Sequence, residues 1–424
     1  MIIGGGGREH ALSWMIKKSP LCSELFIVPG NAGTHQLGEN ININHTDFNT
    51  LEKVIIEKQV NFVIVGPEDP IVKGIEDFFS KSEKLKHIPL LAPSSEGAML
   101  EGSKDYAKRF MKKYDIPTAA YKSFTTSEYE EARKYISDNS IPIVIKADGL
   151  AAGKGVTVAF SEEEAQAALD DIFINNKFGK AGEKVVIEQF LDGIELSVFV
   201  LTDGLNYILL PEAKDYKQIG EGNKGPNTGG MGAVSPVPFA DAAFMKKVTE
   251  RIVEPTINAL IKEKIRYRGF VFFGLMKVGD APYVIEYNVR LGDPEAEVIL
   301  PRIDEDIVPV LLAAAQGNLE QKTVKIRKEC SVTVMLVSGG YPDVYEKNKV
   351  ITGIDKLDDV NLFVAGAQYV NNEVQSTGGR VLAVNALSDN LKDTVEKVYK
   401  QIEKISFDKM RFRKDIGKDI LNLL

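Results

Sequence analysis

The chain has 424 residues, of which 44% are hydrophobic and 26% charged, a composition typical of a globular protein with two to four domains of about 150 residues each. Its 52 basic and 60 acidic residues give a net charge of −8, which argues against a nucleic-acid binder but is compatible with a local basic pocket for phosphate. No apolar run approaches the roughly 18 residues of a membrane span, and no basic stretch precedes an apolar core at the N-terminus, so we expect neither membrane insertion nor a signal peptide.

Short apolar runs alternate with amphipathic helical patterns over the first hundred residues. The runs Phe26–Val28, Phe62–Val65 and Pro89–Ala92 are predicted strands, and Glu9–Lys18 and Val72–Lys81 are predicted helices between them. This alternation predicts an open, parallel α/β sheet, and such sheets bind ligands at the carboxyl ends of their strands. The turns at those ends are rich in glycine, proline or charge: GGGGREH, PGNAG and GPEDP.

From about Ile116 the pattern changes to strands with few intervening helices, which predicts an α+β unit. Its helices are predicted over Thr126–Asp138, Ser161–Ile174 and about Asp241–Lys264, and the last precedes a hairpin of GFVFFGLMKV and YVIEYNV. The remaining residues form a third, β-rich unit that closes with a helix near Leu391–Ile405. The predicted domains are therefore 1–102, 103–328 and 329–424.

The stretch KADGLAAGKGV, Lys146–Val156, is glycine-rich but departs from the P-loop pattern. A P-loop requires four residues between its first glycine and Gly-Lys, followed by Ser or Thr. Here three residues separate Gly149 from Gly153, and Gly155 instead of a hydroxyl residue follows Lys154. The hydroxyl that would hold Mg²⁺ is missing, so the role of this loop depends on the rest of the chain.

The segment VIEYNVRLGDPE carries a candidate metal site. Alternation along a strand predicts Glu286, Asn288 and Arg290 on one face, with Ile285 and Val289 on the other. Carboxylate and amide oxygens are ligands that Mg²⁺ accepts beside phosphate oxygens. The alternative for an isolated Glu-x-Asn pair is the solvent-facing side of an edge strand, but the Gly-Asp-Pro turn that follows and the arginine on the same face favour function.

Two further motifs are weak on their own. In KVVIEQFLDGIELSV, Glu188 and Glu195 flank a hinge that can offer backbone groups to an adenine edge and a carboxylate to ribose hydroxyls, although acidic residues at strand ends are commonly just solvated. In KGPNTGGMGAVSP, glycines and prolines bracket Asn227 and Thr228, and exposed amides there would bind an anion. An ordinary surface loop is favoured for this second motif when it is considered alone.

The N-terminal IIGGGGREH predicts a phosphate site instead of a dinucleotide site. The third glycine of the dinucleotide fingerprint is replaced by Glu9 or His10, depending on the alignment. A glycine turn that leads into a helix still presents backbone amides to phosphate. Arg8 and Glu9 in the first turn would add a charge and a hydrogen-bond acceptor.

Other catalytic chemistries have no support in the sequence. The four histidines show no metal-ligand spacing, and G-x-S-x-G is absent. Cys22 and Cys330 are far apart in the chain and predict neither a disulfide framework nor a zinc site, which fits a reducing cytoplasm.

Eight motifs in a fixed order resemble the phosphoribosylamine–glycine ligase family of ATP-grasp enzymes, and the resemblance covers essentially the whole chain. They are GGREHAL, PGNAGT, VGPEDPIVKGI, LEGSK, PIVIKADGLAAGKGV, GPNTGGMGA, GLM and VIEYNVRLGDPE. The resemblance implies an α/β and α+β multidomain protein. It would have an N-terminal open parallel sheet, an ATP-grasp domain with a mobile lid at about 116–190, and a small C-terminal β-rich domain.

The resemblance also implies ATP as a substrate, together with Mg²⁺ or Mn²⁺. The glycine-rich stretch becomes a lid over the triphosphate, because glycine amides approach phosphate without a Cβ in the way. Glu286 and Asn288 are expected to hold the metal ion, the run from Glu188 to Leu191 to form the adenine hinge, and Glu195 to contact the ribose. The residues expected to bind ATP are Lys104, Lys146, Gly153, Lys154, Gly155, Glu188, Gln189, Phe190, Leu191 and Glu195.

The implied reaction joins glycine to 5-phosphoribosylamine through glycyl phosphate, a step of purine synthesis. Lys146, Arg290 and Asp215 are the expected catalytic residues, with Arg290 on the carboxylate of glycine and Asp215 on its ammonium. A local Arg290–Asp293 ion pair is the alternative for that arginine. The residues expected to bind the substrates are Gly6, Gly7, Arg8, Glu9, Asn31, Glu68, Asp215, Asn227, Thr228, Arg290, Gly292 and Asp293, of which those from Gly6 to Glu68 lie on the phosphoribosylamine side.

The sequence departs from the family pattern at two places. The motif DHKR of the family is DYKQ here, where Tyr216 and Gln218 replace an imidazole and a charge, so no role is assigned in this stretch beyond Asp215. Only Met1–Ile3 precede the N-terminal glycines, fewer than is usual in the family, which bears on the stability of the sheet edge more than on the chemistry.

Two rival interpretations remain open at this point. A sister ATP-grasp enzyme of purine synthesis, such as a carboxylase, would share the ATP residues but lack GGREHAL together with GPNTGGMGA. A nucleotide-sensing protein without turnover is disfavoured by the presence of Glu286, Asn288, Lys146 and Arg290. For the ligase interpretation, the expected partners are the small molecules ATP, glycine and 5-phosphoribosylamine, not nucleic acid or membrane, with a transient contact to the enzyme that supplies phosphoribosylamine.

Overall fold

The computed structural model describes residues 1–151, 155–320 and 322–423. Five parallel strands at the start of the chain form one open sheet in the order β3-β2-β1-β4-β5, which confirms the predicted α/β architecture. The elements are β1 Ile2–Gly4, α1 Gly7–Ile16, β2 Phe26–Pro29, β3 Glu39–Asn40, α2 Phe48–Glu57, β4 Val63–Val65, α3 Glu68–Val72, α4 Ile75–Lys81, β5 Leu90–Leu91 and α5 Ser95–Gly102.

Two local features of this sheet differ from expectation. The short strand β1 lies at the centre of the sheet, with Ile2 and Ile3 fully buried, so the few residues before the glycines do not form an edge. The helix predicted over Val72–Lys81 is divided into α3 and α4 because Gly74 between them adopts a φ of +83°, a conformation that glycine tolerates without steric cost.

The second unit is an antiparallel sheet of order β6-β9-β7-β8, which we call the lid sheet. It has an apolar core of its own, in which Phe124, Ile145 and Leu169 are buried. Ser161 caps α8 by accepting a hydrogen bond from the backbone of Glu164, the role that serine takes at helix N-termini. The elements are α6 Lys104–Lys113, β6 Tyr121–Thr125, α7 Tyr129–Ser137, β7 Ile143–Ala147, β8 Val156–Ala159, α8 Glu162–Phe173 and β9 Lys184–Gln189.

The chain continues into a second antiparallel sheet of order β11-β10-β16-β17, which we call the central sheet. The predicted long helix is present as α9 and α10, joined by a π-helical turn at Thr249–Val253. The elements are β10 Ile194–Thr202, β11 Tyr207–Leu209, β12 Lys214–Asp215, β13 Gln218–Gly220, β14 Lys224–Asn227, β15 Gly232–Ser235, α9 Ala242–Val248, α10 Glu254–Lys262, β16 Gly269–Val278, β17 Ala281–Asn288, α11 Glu295–Ile299 and α12 Val308–Gln316.

The last sheet, of order β12-β15-β18-β22-β19, joins strands from two parts of the chain. Its strands β12 and β15 precede residue 328, so the sheet crosses the predicted limit at 329, and the domain limits stay predictions. The elements are β18 Cys330–Val337, β19 Asn361–Val364, β20 Ala367–Val370, β21 Glu373–Ser376, β22 Arg380–Ser388, α13 Leu391–Ile402 and α14 Lys418–Leu421. Within the described ranges, no helix combines the length and apolarity needed to cross a bilayer.

Candidate active site

A buried ion-pair cluster joins helix α6 to the lid sheet. The Glu188 carboxylate forms ion pairs with Lys146 Nζ at 2.9 Å and with Lys108 Nζ at 2.8 Å, and all three side chains are buried. Burial favours the neutral form of Glu188, but the two ammonium groups outweigh it and lower the pKa of this carboxylate. Burial lowers the pKa of Lys108 to about 8. Lys108 was not predicted from the sequence, although it lies one helical turn after Lys104 and therefore on the same face.

Lys146 of this cluster reaches the central sheet, and Lys104 lies nearby. Lys146 donates to the carbonyl of Ile285 on β17 at 3.1 Å, and Lys104 donates to the carbonyl of Gly149 at 3.0 Å. Burial lowers the pKa of Lys104, while the nearby Glu286 carboxylate opposes the shift. The two lysines predicted to contact phosphate therefore lie together, with the predicted metal ligand close to both.

Several other residues predicted to bind ATP lie at the end of β9 and next to β8. Gln189 ends β9, and the ring of Phe190 lies 6.1 Å from that of Phe160 across the end of β8. Leu191 follows before β10. Gly155 accepts a backbone hydrogen bond from Ala147. Gly153 and Lys154, predicted to cover the phosphates, lie outside the described residues.

The candidate metal ligands occupy the last residues of β17, with one correction to the predicted pattern. A bulge between Gly274 and Leu275 of β16 shifts the register, so that Gly274 faces Glu286 but Leu275 faces Val284. Ile285 is the extra residue, and strict alternation fails there because a bulge inserts one unpaired residue. Glu286 and Asn288 remain two residues apart beyond the bulge and share a face. A Cβ at Gly274 would lie 2.7 Å from Cγ of Glu286, so glycine leaves room for this carboxylate.

Lys217 is the main site residue that sequence analysis missed. Its Nζ lies 3.3 Å from Glu195 Oε2 and 3.5 Å from Glu286 Oε1. These carboxylates raise the pKa of Lys217 well above its usual value despite its partial burial, and Lys217 is the largest cause that lowers the pKa of Glu286 to about 2. Its position two residues after Asp215 was the available signal, and the departure from the family motif in this stretch masked it.

The residues present fit a divalent cation that is shared with phosphate. Glu286 and Asn288 offer two hard oxygen donors on one face, and Mg²⁺ commonly takes one or two protein ligands beside phosphate oxygens and water. An ammonium group already lies against Glu286 in this structure, which indicates that positive charge is stabilised there. Among the described residues, no cluster of three or more His, Cys, Asp or Glu side chains has the arrangement of a self-sufficient metal site.

Asp215 and Glu295 form an acidic pair near Lys217. Asp215 is buried on β12, and Glu295 is buried at the start of α11. Burial raises the pKa of Asp215 to about 6 and that of Glu295 to about 8, and the negative charge of Asp215 contributes to the shift of Glu295. Glu295 was not predicted. The pair favours binding of a cationic group, since a positive charge would relieve the repulsion between the two carboxylates.

The guanidinium of Arg290 is held by the N-terminal unit. Its Nη2 lies 2.8 Å from Glu101, its Nε lies 3.3 Å from Glu68, and its Nη1 donates to the carbonyl of Leu291. The alternative of a local Arg290–Asp293 ion pair is therefore wrong. Asp293 pairs instead with Arg380 of β22 at 3.0 Å, a partner that lies 87 residues further along the chain.

The glycine turn before α1 lies against the Asp293 loop. Glu9 folds back to accept a hydrogen bond from the backbone of Gly6 at 2.7 Å and pairs with Arg8. Arg8 also donates to the carbonyl of Leu291 at 3.1 Å, and its backbone N–H donates to Asp293. A Cβ at Gly7 would lie 2.2 Å from the buried carboxylate of Glu297, so this position requires glycine. The turn therefore joins the N-terminal sheet to the segment after β17.

The side chain of Asn31 has a structural role in this turn. Its amide donates to the carbonyls of Gly5, Gly6 and Val364, and its oxygen accepts from the backbone of Gly33 and Thr34. An amide NH₂ has two hydrogens, so these contacts use its donors. Binding of substrate by Asn31 stays a prediction.

The loop predicted to bind an anion holds the backbone of Lys217. Thr228 donates to the carbonyl of Lys217 through both its backbone N–H, at 2.8 Å, and its hydroxyl, at 2.7 Å. Asn227 ends β14, where it pairs with Gln218. Direct substrate contacts of Asn227 and Thr228 stay predictions. Gly292 packs against the Glu295 carboxylate, which lies 2.2 Å from the position of an added Cβ.

Comparison with known proteins gives the family. Models of the phosphoribosylglycinamide synthetase N domain, ATP-grasp (A) domain and C domain match residues 1–101, 102–296 and 331–419. A phosphoribosylamine–glycine ligase of Agrobacterium fabrum is 42% identical over 98% of this chain and 97% of its own length. A bifunctional purine biosynthetic protein of Schizosaccharomyces pombe is 43% identical over the full chain, which spans 54% of that longer protein.

The fold comparison agrees with the sequence matches. The crystal structure of phosphoribosylamine–glycine ligase from Thermotoga maritima superimposes with a TM-score of 0.85 at 37% identity, covering 98% of this chain and 99% of that one. The rival assignment to a sister carboxylase is thereby set aside. The chain belongs to the phosphoribosylglycinamide synthetase family and contains the N, ATP-grasp (A) and C domains of that family.

Proposed function

We propose that this chain joins glycine to 5-phosphoribosylamine with ATP and Mg²⁺ or Mn²⁺, giving glycinamide ribonucleotide, ADP and phosphate. The observation that carries the proposal is the convergence of Lys104 and Lys146 from the lid side on Glu286 of the central sheet. Cations on one wall and hard oxygen donors on the other suit a nucleoside triphosphate with its metal ion.

In the first step, a carboxylate oxygen of glycine attacks the γ-phosphorus of ATP, and ADP leaves. Lys146 and Lys104 would neutralise charge on the phosphates, while the buried Glu188 holds Lys146 in place. When bound through Glu286 and Asn288, a divalent cation would neutralise further charge on the phosphate oxygens. The protein supplies positioning and electrostatic stabilisation, and no protein nucleophile is needed.

In the second step, the amine nitrogen of phosphoribosylamine attacks the acyl carbon of glycyl phosphate. The C–O bond to phosphate breaks, inorganic phosphate leaves with the electron pair, and the amine gives up one proton. The turn at Gly6–Arg8 and the carboxylate of Glu68 lie on the side of the N-terminal sheet, where we propose that this amine substrate binds. Exclusion of water by the lid would protect the acyl phosphate from hydrolysis.

The direct test is phosphate release with ATP and glycine, with and without phosphoribosylamine. We expect sustained release only when all three substrates and a divalent cation are present, with one glycinamide ribonucleotide formed per ATP. Phosphate release that is independent of glycine would overturn the proposal.

The pH dependence of glycine binding should reveal its ammonium subsite. We propose that Asp215 and Glu295 bind the ammonium group. Since their pKa values are raised to about 6 and about 8, the pair gains negative charge as the pH rises from 6 to 8. We therefore expect the KM for glycine to fall over this range by about tenfold, or ~1.4 kcal/mol, while the KM for ATP changes less. Steady-state kinetics in Asp215→Asn should show a much flatter profile.

We further propose that the protein works in the cytoplasm and makes transient contact with the enzyme that supplies its unstable amine substrate. The two cysteines, Cys22 and Cys330, are free thiols in the structure, a state that a reducing compartment maintains.

A further inference from the structure

The segment Arg413–Asp419 near the C-terminus forms hydrogen bonds and an ion pair with residues 214–218, the stretch that carries Lys217. Tyr216, which is 2% exposed, donates its hydroxyl hydrogen to Asp419 Oδ1 at 2.5 Å and accepts the backbone N–H of Gly417 at 3.0 Å. Asp419 also pairs with Lys214 at 2.9 Å. We call this set of contacts the C-terminal clamp. Tyr216, the central residue of the clamp, stands where the family motif DHKR has histidine.

A second set of contacts holds the far side of the same stretch. The guanidinium of Arg413, which is 1% exposed, donates to the carbonyl of Gln218 at 3.1 Å and to Asn223 Oδ1 at 3.0 Å. Asp415 fixes that guanidinium through two contacts and also accepts the backbone N–H of Gly222. The stretch is therefore anchored on the residues before and after Lys217.

Lys217 itself points away from the clamp. In extended backbone, successive side chains face opposite sides, and here Tyr216 enters the C-terminal segment while Lys217 reaches Glu195 and Glu286. The carbonyl of Lys217 is fixed by the two hydrogen bonds from Thr228. The backbone of this lysine is thus immobilised, and its ammonium is aimed at the candidate metal and ribose carboxylates.

We propose that the C-terminal clamp is a positioning device for Lys217, whose ammonium neutralises charge where glycine and the γ-phosphate meet. This inference rests on the proposed function. Tyr216, Arg413 and Asp419 do not touch substrate and act only through the position of Lys217. The departure from the family motif is then a substitution with its own partners, Asp419 and the backbone of Gly417, and not a loss.

A double-mutant cycle tests this coupling. We expect Tyr216→Phe to lower kcat/KM for glycine by about tenfold, with the KM for ATP changed less than about twofold. Lys217→Gln should lower it by about a hundredfold. In the Lys217→Gln background, adding Tyr216→Phe should change kcat/KM by less than about twofold, since the clamp has no lysine left to position. Lys414→Met, an exposed neighbour in the same segment, is the matched control and should behave as wild type.

Thermal unfolding separates positioning from general stability. Tyr216→Phe should lower the melting temperature equally in the wild-type and Lys217→Gln backgrounds, whereas its effect on kcat/KM should disappear in the Lys217→Gln background. Equal kinetic losses in both backgrounds would overturn the proposal. If Tyr216→Phe does not fold, Asp419→Asn, whose side chain is 47% exposed, replaces it in the same cycle. A wild-type protein without glycine-dependent phosphate release would refute the proposed function instead, independently of the cycle.

Discussion

Glu286→Gln is expected to lower kcat by at least about a hundredfold, the scale of losing one electrostatic contact to the transition state. The amide keeps the shape of the side chain, so the pocket next to Gly274 stays filled. What is lost is the negative charge of the carboxylate. The pKa of Glu286 is lowered to about 2, chiefly by Lys217, because the charges of Lys217, Lys146 and Lys104 outweigh the opposing effect of burial. Without that charge, a divalent cation loses its carboxylate ligand and the three lysines repel one another.

The measurement is ADP formation over a range of Mg²⁺ concentrations. We expect the requirement for Mg²⁺ to rise as kcat falls. Asp280→Asn is the matched control, because Asp280 lies on the same hairpin but its side chain is 77% exposed. Near-normal turnover of Glu286→Gln at ordinary Mg²⁺ would contradict the metal assignment.

The lowered pKa of Glu286 sets the direction in which the stability of the fold should change with pH. A carboxylate with a lowered pKa in the folded state stabilises the fold above its unfolded pKa of about 4.3 and loses that contribution as the pH falls towards 2. The melting temperatures of wild type and Glu286→Gln should therefore converge on acidification from neutral pH to about pH 3. Divergence over that range would indicate that Glu286 is not ionised at neutral pH.

Periodicity was sufficient to predict most of the elements that carry the site. A continuous apolar run marks β16 and alternation marks β17, and the helix predicted over Ser161–Ile174 is observed as α8, inside its serine cap. These signals are local, because side-chain spacing within an element depends on its own geometry. The motif order then gave the family, since the same residues recur at the same positions relative to those elements.

The bulge at Ile285 could not be predicted from periodicity. Its cause lies in the register with β16, where Gly274 faces Glu286, and a partner strand is not visible in the spacing of one segment. Glu286 and Asn288 were correctly placed on one face only because both lie on the same side of the bulge.

Partners that are distant in the chain were also not predictable. Glu101, which pairs with Arg290, lies 189 residues before it, in a helix whose apolar pattern gave no strong signal. Lys108 is buried and Arg380 is partly buried, and each pairs with a carboxylate that is distant in the chain, Glu188 and Asp293 respectively. Burial of a charge is stable only when it is paired, so such residues become visible once the fold has brought the units together.

Arg290→Lys is the second large expected effect, because the guanidinium uses three separate N–H groups in three directions. These groups reach Glu101, Glu68 and the carbonyl of Leu291, and two N–H bonds remain for a substrate carboxylate. A lysine keeps the charge but cannot reproduce the planar fork. We expect the KM for glycine to rise at least about tenfold, a loss of ~1.4 kcal/mol, and the melting temperature to fall because Glu101 is buried and loses its best partner.

Comparing the KM values for glycine and phosphoribosylamine decides what Arg290 does. If it binds the carboxylate of glycine, Arg290→Lys raises the KM for glycine while that for ATP changes little. If it serves mainly to orient Glu68, the KM for phosphoribosylamine rises instead, and Glu68→Gln in the same background adds little. If neither KM changes while stability falls, Arg290 only joins the N-terminal sheet to β17. Arg266→Lys, at an exposed ion pair with Glu76, controls for the substitution itself, because surface pairs contribute at most about 1 kcal/mol.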